Sequence, residues 1–234
     1  MANKKVYSKN LIIIFIFVFS FIMFVSCPQA IDGGLTDSYE VGDEGPAGGL
    51  IFYDDNLGYD FDGNDEIENN EKNLLSEYRY LEAAPSDYND GTDNPYYHIF
   101  GYTRDNPSGS SQIVGTSSDF GSGKSNTSLL ISSAPFYTTN STSNSTTTNS
   151  YAAKLCDSFS YNSYNDWFLP SEQELNLLYL NLHKKDLGDF HGVYWSSTEA
   201  TVNTVYVRIF TLDEDNLFTR DRDDTNRVRP IRAF

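Results

Sequence analysis

Only two cysteines occur in this 234-residue chain, and one of them closes an apolar leader. Lys4, Lys5 and Lys9 precede a charge-free stretch from Leu11 to Val25, and Ser26 and Cys27 follow it. A basic start, an apolar middle and a small residue before the cut form a removable secretion signal. The stretch falls short of the about 20 residues that a helix needs to cross the hydrocarbon layer. Cys27 then becomes the mature amino terminus and the lipidation site, with Phe24 standing where such sites more often carry Leu. A cleaved leader without lipid is the alternative. Lipidation leaves Cys156 alone, so no intramolecular disulfide can brace the mature chain. Whatever folds must be held by a packed core.

The organisation that follows is a signal peptide over residues 1–26, a lipidated tether over 27–40 and one domain over 41–234, long enough for a core of its own. Acyl chains on Cys27 would enter the bilayer at ~0.8 kcal/mol per buried methylene, enough for stable anchoring without a transmembrane helix. The expected location is the bacterial cell envelope, at the outer membrane or cell surface, with the membrane as a partner through the lipid.

Charge narrows the remaining partners. The chain carries 16 Lys and Arg against 33 Asp and Glu, a net −17. Loss of the three leader lysines leaves 13 against 33, or −20. A field of that sign opposes nucleic acid and anionic headgroups except at a local basic patch. A neutral, cationic or metal-bridged partner, a glycan or a protein among them, suits it better.

Two segments have helical periodicity. Ala152, Leu155, Cys156 and Phe159 recur on one stripe of a helix beginning near Tyr151, which turns Cys156 toward the core. No basic cluster is visible to stabilise its thiolate. In the second, Ser171-Glu172-Gln173-Glu174 forms a capping box after Pro170, and Leu175, Leu178, Tyr179 and Leu182 continue the stripe. His183, Lys184 and Lys185 complement the negative end of the dipole, and Gly188 is placed to terminate the helix. Strands are expected at Gly49–Tyr53, Tyr78–Ala83, Asp166–Leu169, Val193–Ser196, Asn203–Leu212, Leu217–Arg220 and Arg227–Arg232. The pair after Asn203 reads as a hairpin through an acidic turn. The Ser/Thr/Asn run Thr138–Ser150 reads as a flexible loop.

Three motifs bear on chemistry. Gly121-Ser122-Gly123-Lys124-Ser125 has the look of a phosphate loop, but position 118 is Ser where the pattern needs Gly, and no apolar strand leads in. A glycine-rich turn before a short helix near Leu129–Ile131 accounts for it. The acidic run from Asp60 to Glu71 places Asp60, Asp62, Asn64, Glu66 and Glu71 near the oxygen-ligand positions of a calcium loop, with Ile67 at the apolar position. Asp65 stands where that loop needs glycine, so calcium and a solvated acidic insertion both stay open. Tyr96, Tyr97 and Tyr102 belong to an aromatic stretch flanked by prolines. In a loop these rings would bind a ligand by stacking; in a strand alternate rings would pack inward. No nucleophile elbow, zinc helix or paired-cysteine motif occurs, and any carboxylate pair among 33 acids would be an arbitrary choice.

An ordered series remains. It runs through Val41–Tyr53, Tyr78–Pro85, Gly123–Thr127, Ala152–Cys156, Asp166–Ser171, Tyr194–Glu199 and Arg227–Phe234, with Trp-Phe-Leu-Pro, Trp-Ser-Ser-Thr and Val-Arg-Pro elements within it. The series resembles the C-terminal domain family of the Legionella collagen-like protein, a domain of unknown function in bacterial surface lipoproteins. The resemblance implies an α+β, C-type-lectin-like fold related to the formylglycine-generating enzymes, with two helices, curved antiparallel sheets and long loops. It implies core positions for Trp167 and Trp195, a strand-linking turn at Ser196–Glu199, and acidic partners for Arg227 and Arg229. The oxidase cysteines and the calcium-dependent sugar triplets of the wider fold are absent from this chain. The expected function is ligand binding or adhesion by a lipid-anchored, non-enzymatic domain. A glycan-active envelope enzyme and a structural envelope protein are the alternatives.

Overall fold

A computed structural model describes residues 38–59, 74–75, 77–91, 96–104, 111–133, 136–137, 150–211 and 217–234, all within the compact unit Asp37–Phe234. The segment read as a leader, with Cys27, the acidic residues Asp60, Asp62, Asn64, Glu66 and Glu71, and the polar run 138–149 lie outside the described residues. In chain order the elements are β1 (Leu50–Asp54), β2 (Tyr80–Ala83), β3 (His98–Ile99), β4 (Tyr102–Arg104), β5 (Ser111–Gln112), α1 (Gly123–Ser132) and β6 (Phe136–Tyr137). They continue with α2 (Ala152–Asp157), α3 (Glu172–Asn181), β7 (Gly192–Glu199), β8 (Thr204–Phe210), β9 (Leu217–Asp221), β10 (Thr225–Asn226) and β11 (Ile231–Ala233). The class is α+β, with antiparallel sheets in the orders β1-β2-β11, β7-β8-β9, β5-β4-β6 and β10-β3.

α3 forms where the capping box places it. Ser171 Oγ accepts the Glu174 N–H at 3.2 Å, and the Glu174 carboxylate accepts the Ser171 N–H at 2.7 Å. Two free N–H groups of its first turn also have partners: Glu172 N donates to Thr198 Oγ1 and Gln173 N to the Ser118 carbonyl. The stripe Leu175, Leu178, Tyr179 and Leu182 is buried among Phe52, Leu81, Phe210 and Ile231. The helix stops earlier than Gly188: a 3₁₀ turn at His183–Lys185 is ended by Asp186 at φ 59°. A short polar side chain tolerates that left-handed conformation better than most. The second core joins α2 to β7 and β8, with Cys156, Leu130, Trp195, Val205 and Val207 at its centre. Trp167 and Trp195 are both core rings, as expected.

Four local expectations are corrected. The described residues contain three α-helices, because α1 begins at Gly123 in the glycine-rich run itself. Its inward face is polar, which hides it from a hydrophobic pattern: Asn126 bonds Ser117 and Ser197, and Thr127 Oγ1 accepts the Leu169 N–H at 2.9 Å. That capture also limits Asp166–Leu169 to a single bridge, Phe168 with Ile231. Arg227–Arg232 is likewise not one strand, since pairing lapses at Val228–Pro230 and β11 holds only its last residues. Ser196–Glu199 is no turn but the buried end of β7, where the register shifts against β8. There Ser196 Oγ donates to the Tyr206 carbonyl at 2.7 Å, and Glu199 accepts from Val114, Gly115, Thr116 and the buried Arg222.

The Gly-rich segment before β1 wraps a buried carboxylate. Glu82 accepts the N–H groups of Ala47 and Gly49 at 3.1 and 2.8 Å, and Arg232 binds Glu82 on one side and Asp166 on the other. A side chain at Gly49 would strike the Ala83 carbonyl, and one at Gly45 would lie 2.6 Å from Glu82 Cδ. Tyr39, within the segment read as tether, packs its ring against Tyr80 and Phe234.

Candidate functional site

Asp87 follows β2 and is held by residues far from it in sequence. Its carboxylate accepts from Arg227 Nη1 at 2.7 Å, Arg229 Nε at 2.8 Å and the Tyr194 hydroxyl at 3.0 Å. Arg229 also donates to the carbonyls of Ala84 and Gly188, so that cation is fully engaged. Burial, reinforced by the Asp87 charge, pushes the Tyr194 phenol well above the tyrosine range, so it remains a donor. Arg227 keeps its charge: burial works against it, but the hydrogen bond to Asp87, the Asp87 charge and the neighbouring Tyr194 and Tyr97 together outweigh that.

Asp87, Arg227 and Arg229 line a cleft of about 180 Å³, with Pro85, Ser86, Tyr96, Asp189 and His191 around it. The Arg227 guanidinium lies 5.1 Å from the Tyr96 ring centroid and 5.3 Å from that of Tyr97, within cation–π range. Its Nε is buried and has no hydrogen-bond partner among the described residues. Asn89 donates to the Tyr96 hydroxyl at 3.3 Å. His191 and Asp189 stand at the exposed rim, 3.7 Å apart.

The aromatic stretch is thus neither one loop nor one strand. Tyr96 and Tyr97 are brought together at Arg227, with Tyr97 41% exposed. Tyr102 lies in β4 opposite Tyr137, and its side chain lies outside what is described. Arg227 and Arg229 pair with an acid as expected; that the acid is Asp87, and that Tyr194 and His191 join it, had no local signal. The Gly121–Ser125 run forms no phosphate cradle, because the Glu174 carboxylate lies where a Gly123 side chain would be and Lys124 donates to the Tyr78 hydroxyl at 2.7 Å. Among the described residues, no cluster of three or more His, Cys, Asp or Glu is placed to hold a metal, and no helix is long and apolar enough to cross a membrane.

The cleft offers binding contacts. Two arginines face two aspartates, so the local charge balances, and the Asp87 carboxylate already accepts three hydrogen bonds. Ring faces, a hydroxyl and an imidazole remain for a ligand.

No family model and no curated protein matches this sequence. Among solved structures, a fimbrial protein from Bacteroides ovatus superposes with a TM-score of 0.47 at 15% identity, covering 84% of this chain and 49% of that one. The chain therefore spans about half the length of that neighbour.

Proposed function

We propose that this chain is a lipid-anchored protein of the bacterial cell envelope, displayed at the surface, whose C-type-lectin-like domain binds an uncharged saccharide without turning it over. The observation that carries the binding reading is the convergence of Tyr96, Arg227 and His191 on one charge-balanced cleft, with the Tyr97 ring beside the same guanidinium. A sugar presents apolar C–H faces to aromatic rings and hydroxyls to fixed polar groups, and it meets no net field there. The leader ending at Cys27 supports the anchor, and the α+β architecture is compatible with the lectin-like reading.

An array of neutral glycans, followed by calorimetry on the purified full-length protein, tests this. Tyr96→Ala is expected to weaken binding about tenfold, the scale of one lost ring contact. Binding to proteins alone, or binding indifferent to Tyr96, would refute the saccharide assignment, and turnover of peptidoglycan or oligosaccharides would favour the enzyme reading. Mass spectrometry showing an unmodified mature amino terminus would remove the anchor.

A further inference from the structure

β9 is the outer strand of the sheet β7-β8-β9, and among the described residues no strand pairs with its far side. Leu217, Thr219, Arg220 and Asp221 are exposed and Phe218 is half-buried. The hydrogen bonds of β8 decide which β9 backbone groups face outward. The Thr204 carbonyl accepts from Ala200 and Thr201, and the Tyr206 carbonyl accepts from the Ser196 hydroxyl, so these two residues turn toward β7. Val205 and Val207 turn the other way, where they pair with Arg220 and Phe218. The N–H and C=O groups of Leu217, Thr219 and Asp221 therefore point away from the sheet. An exposed row of this kind is a template for another strand, and sheets commonly blunt it with Lys, Pro or a bulge. β9 contains no Lys or Pro, and its register against β8 is unbroken.

We propose that this edge joins two copies of the chain, β9 to β9 and antiparallel, about a two-fold axis through Thr219. The strand is complementary to itself in that register. Thr219 faces the partner's Thr219, Leu217 faces the partner's Asp221, and Phe218 faces the partner's Arg220, so each outward N–H and C=O gains a bond. Opposed threonines are a favourable cross-strand pair. Arg220 already lies 5.1 Å from the Phe218 ring of its own strand, and the pairing offers it a second ring. Other alignments are poorer. Parallel pairing in register sets Arg220 on Arg220 and Asp221 on Asp221, which like charges disfavour. Antiparallel pairing slid toward Asp221 again opposes the two arginines, and sliding toward Leu217 joins only Leu217–Thr219. The net charge of −17 resists association but is screened by salt, while β9 carries one Arg and one Asp and is neutral. Five residues a side fall short of the about 20–30 of a stable complex, so the contact is weak in solution and gains from any tethering that concentrates the chains. This surface is independent of the saccharide cleft.

Cysteine cross-linking of the purified full-length protein tests the axis. Residues opposed in this way have Cα atoms about 5.5 Å apart, within disulfide reach. Under mild oxidation Thr219→Cys should form covalent dimer at least about tenfold faster than Leu217→Cys alone or the native chain, whose Cys27 sets the background. Leu217→Cys mixed with Asp221→Cys should cross-link as Thr219→Cys does. In the native chain the amide signals of Leu217, Thr219 and Asp221 should shift with protein concentration, with a dissociation constant on the order of 1 mM, while the amides of Phe218 and Arg220 stay protected by β8 throughout. Thr219→Lys sets two like charges at the axis and should abolish the concentration dependence. Equal cross-linking at all positions, amide signals indifferent to concentration, association that survives Thr219→Lys, or shifts that appear only when a foreign protein is added would each overturn the proposal.

Discussion

Replacing Glu174 by Gln should make the stability difference between the two proteins depend on pH. In the folded chain burial holds this carboxyl protonated up to about 7, against an ordinary value of 4.5. The folded state therefore binds the proton more tightly than the unfolded state. The associated stability is complete below pH 4.5 and is lost as pH rises through about 7. About 2.5 units at ~1.36 kcal/mol each make roughly 3 kcal/mol. Glutamine keeps the shape and an oxygen for the Ser171 N–H but never charges. Urea unfolding of both proteins from about pH 4 to about pH 8.5 should show the variant gaining roughly 3 kcal/mol on the native chain across that range. The other carboxylates, Asp166 included, titrate in both proteins and cancel in the difference. A difference that stays flat with pH would refute the reasoning, since it would mean that Glu174 is hydrated and titrates like an exposed glutamate.

Three further outcomes follow from the packing. Gly123→Ala should cost at least the roughly 1–3 kcal/mol of an overpacked core, read by urea denaturation, because its Cβ would press on Glu174 Oε2 and lie 2.8 Å from the Leu169 carbonyl oxygen. Arg232→Ala should cost roughly 3–5 kcal/mol by the same assay, since it strands the buried Glu82 carboxylate beside Ala47 and Gly49; a loss below about 1 kcal/mol would show the pair to be hydrated. Burial first, then the neighbouring Asp157 charge, raise the Cys156 thiol well above its ordinary value. A disulfide reagent should therefore modify Cys156 only as the chain unfolds, and rapid modification under native conditions would contradict its place in the core.

Much of the fold was legible because its causes are local. The capping box and the four-residue stripe of α3 lie within about three turns of chain, and the β8–β9 hairpin shows its period of two to any reader of the sequence. α1 was read only at its far end, since its core-facing Asn126 and Thr127 bury hydrogen bonds instead of hydrocarbon. Trp-Ser-Ser-Thr was misread as a turn for a similar reason. Ser196, Ser197 and Thr198 are buried in β7 because partners from β8, the Pro170 carbonyl and the segment before α1 satisfy their polar atoms.

The candidate site divides along the same line. The sequence by itself determined the acidic balance, the apolar stripes of α2 and α3 and the presence of ring-bearing and arginine-rich segments, all of which depend on composition or on neighbours in the chain. Only the tertiary structure decided that Asp87 would hold Arg227 and Arg229, 140 and 142 positions away, and so set Tyr96 and Tyr97 beside a guanidinium. It alone also decided that the Glu174 carboxylate would be buried between the starts of two helices, against Ser171 and Gly123. Secondary structure answers to spacing along the chain, whereas the charge, burial and partners of a side chain answer to whatever folding packs around it.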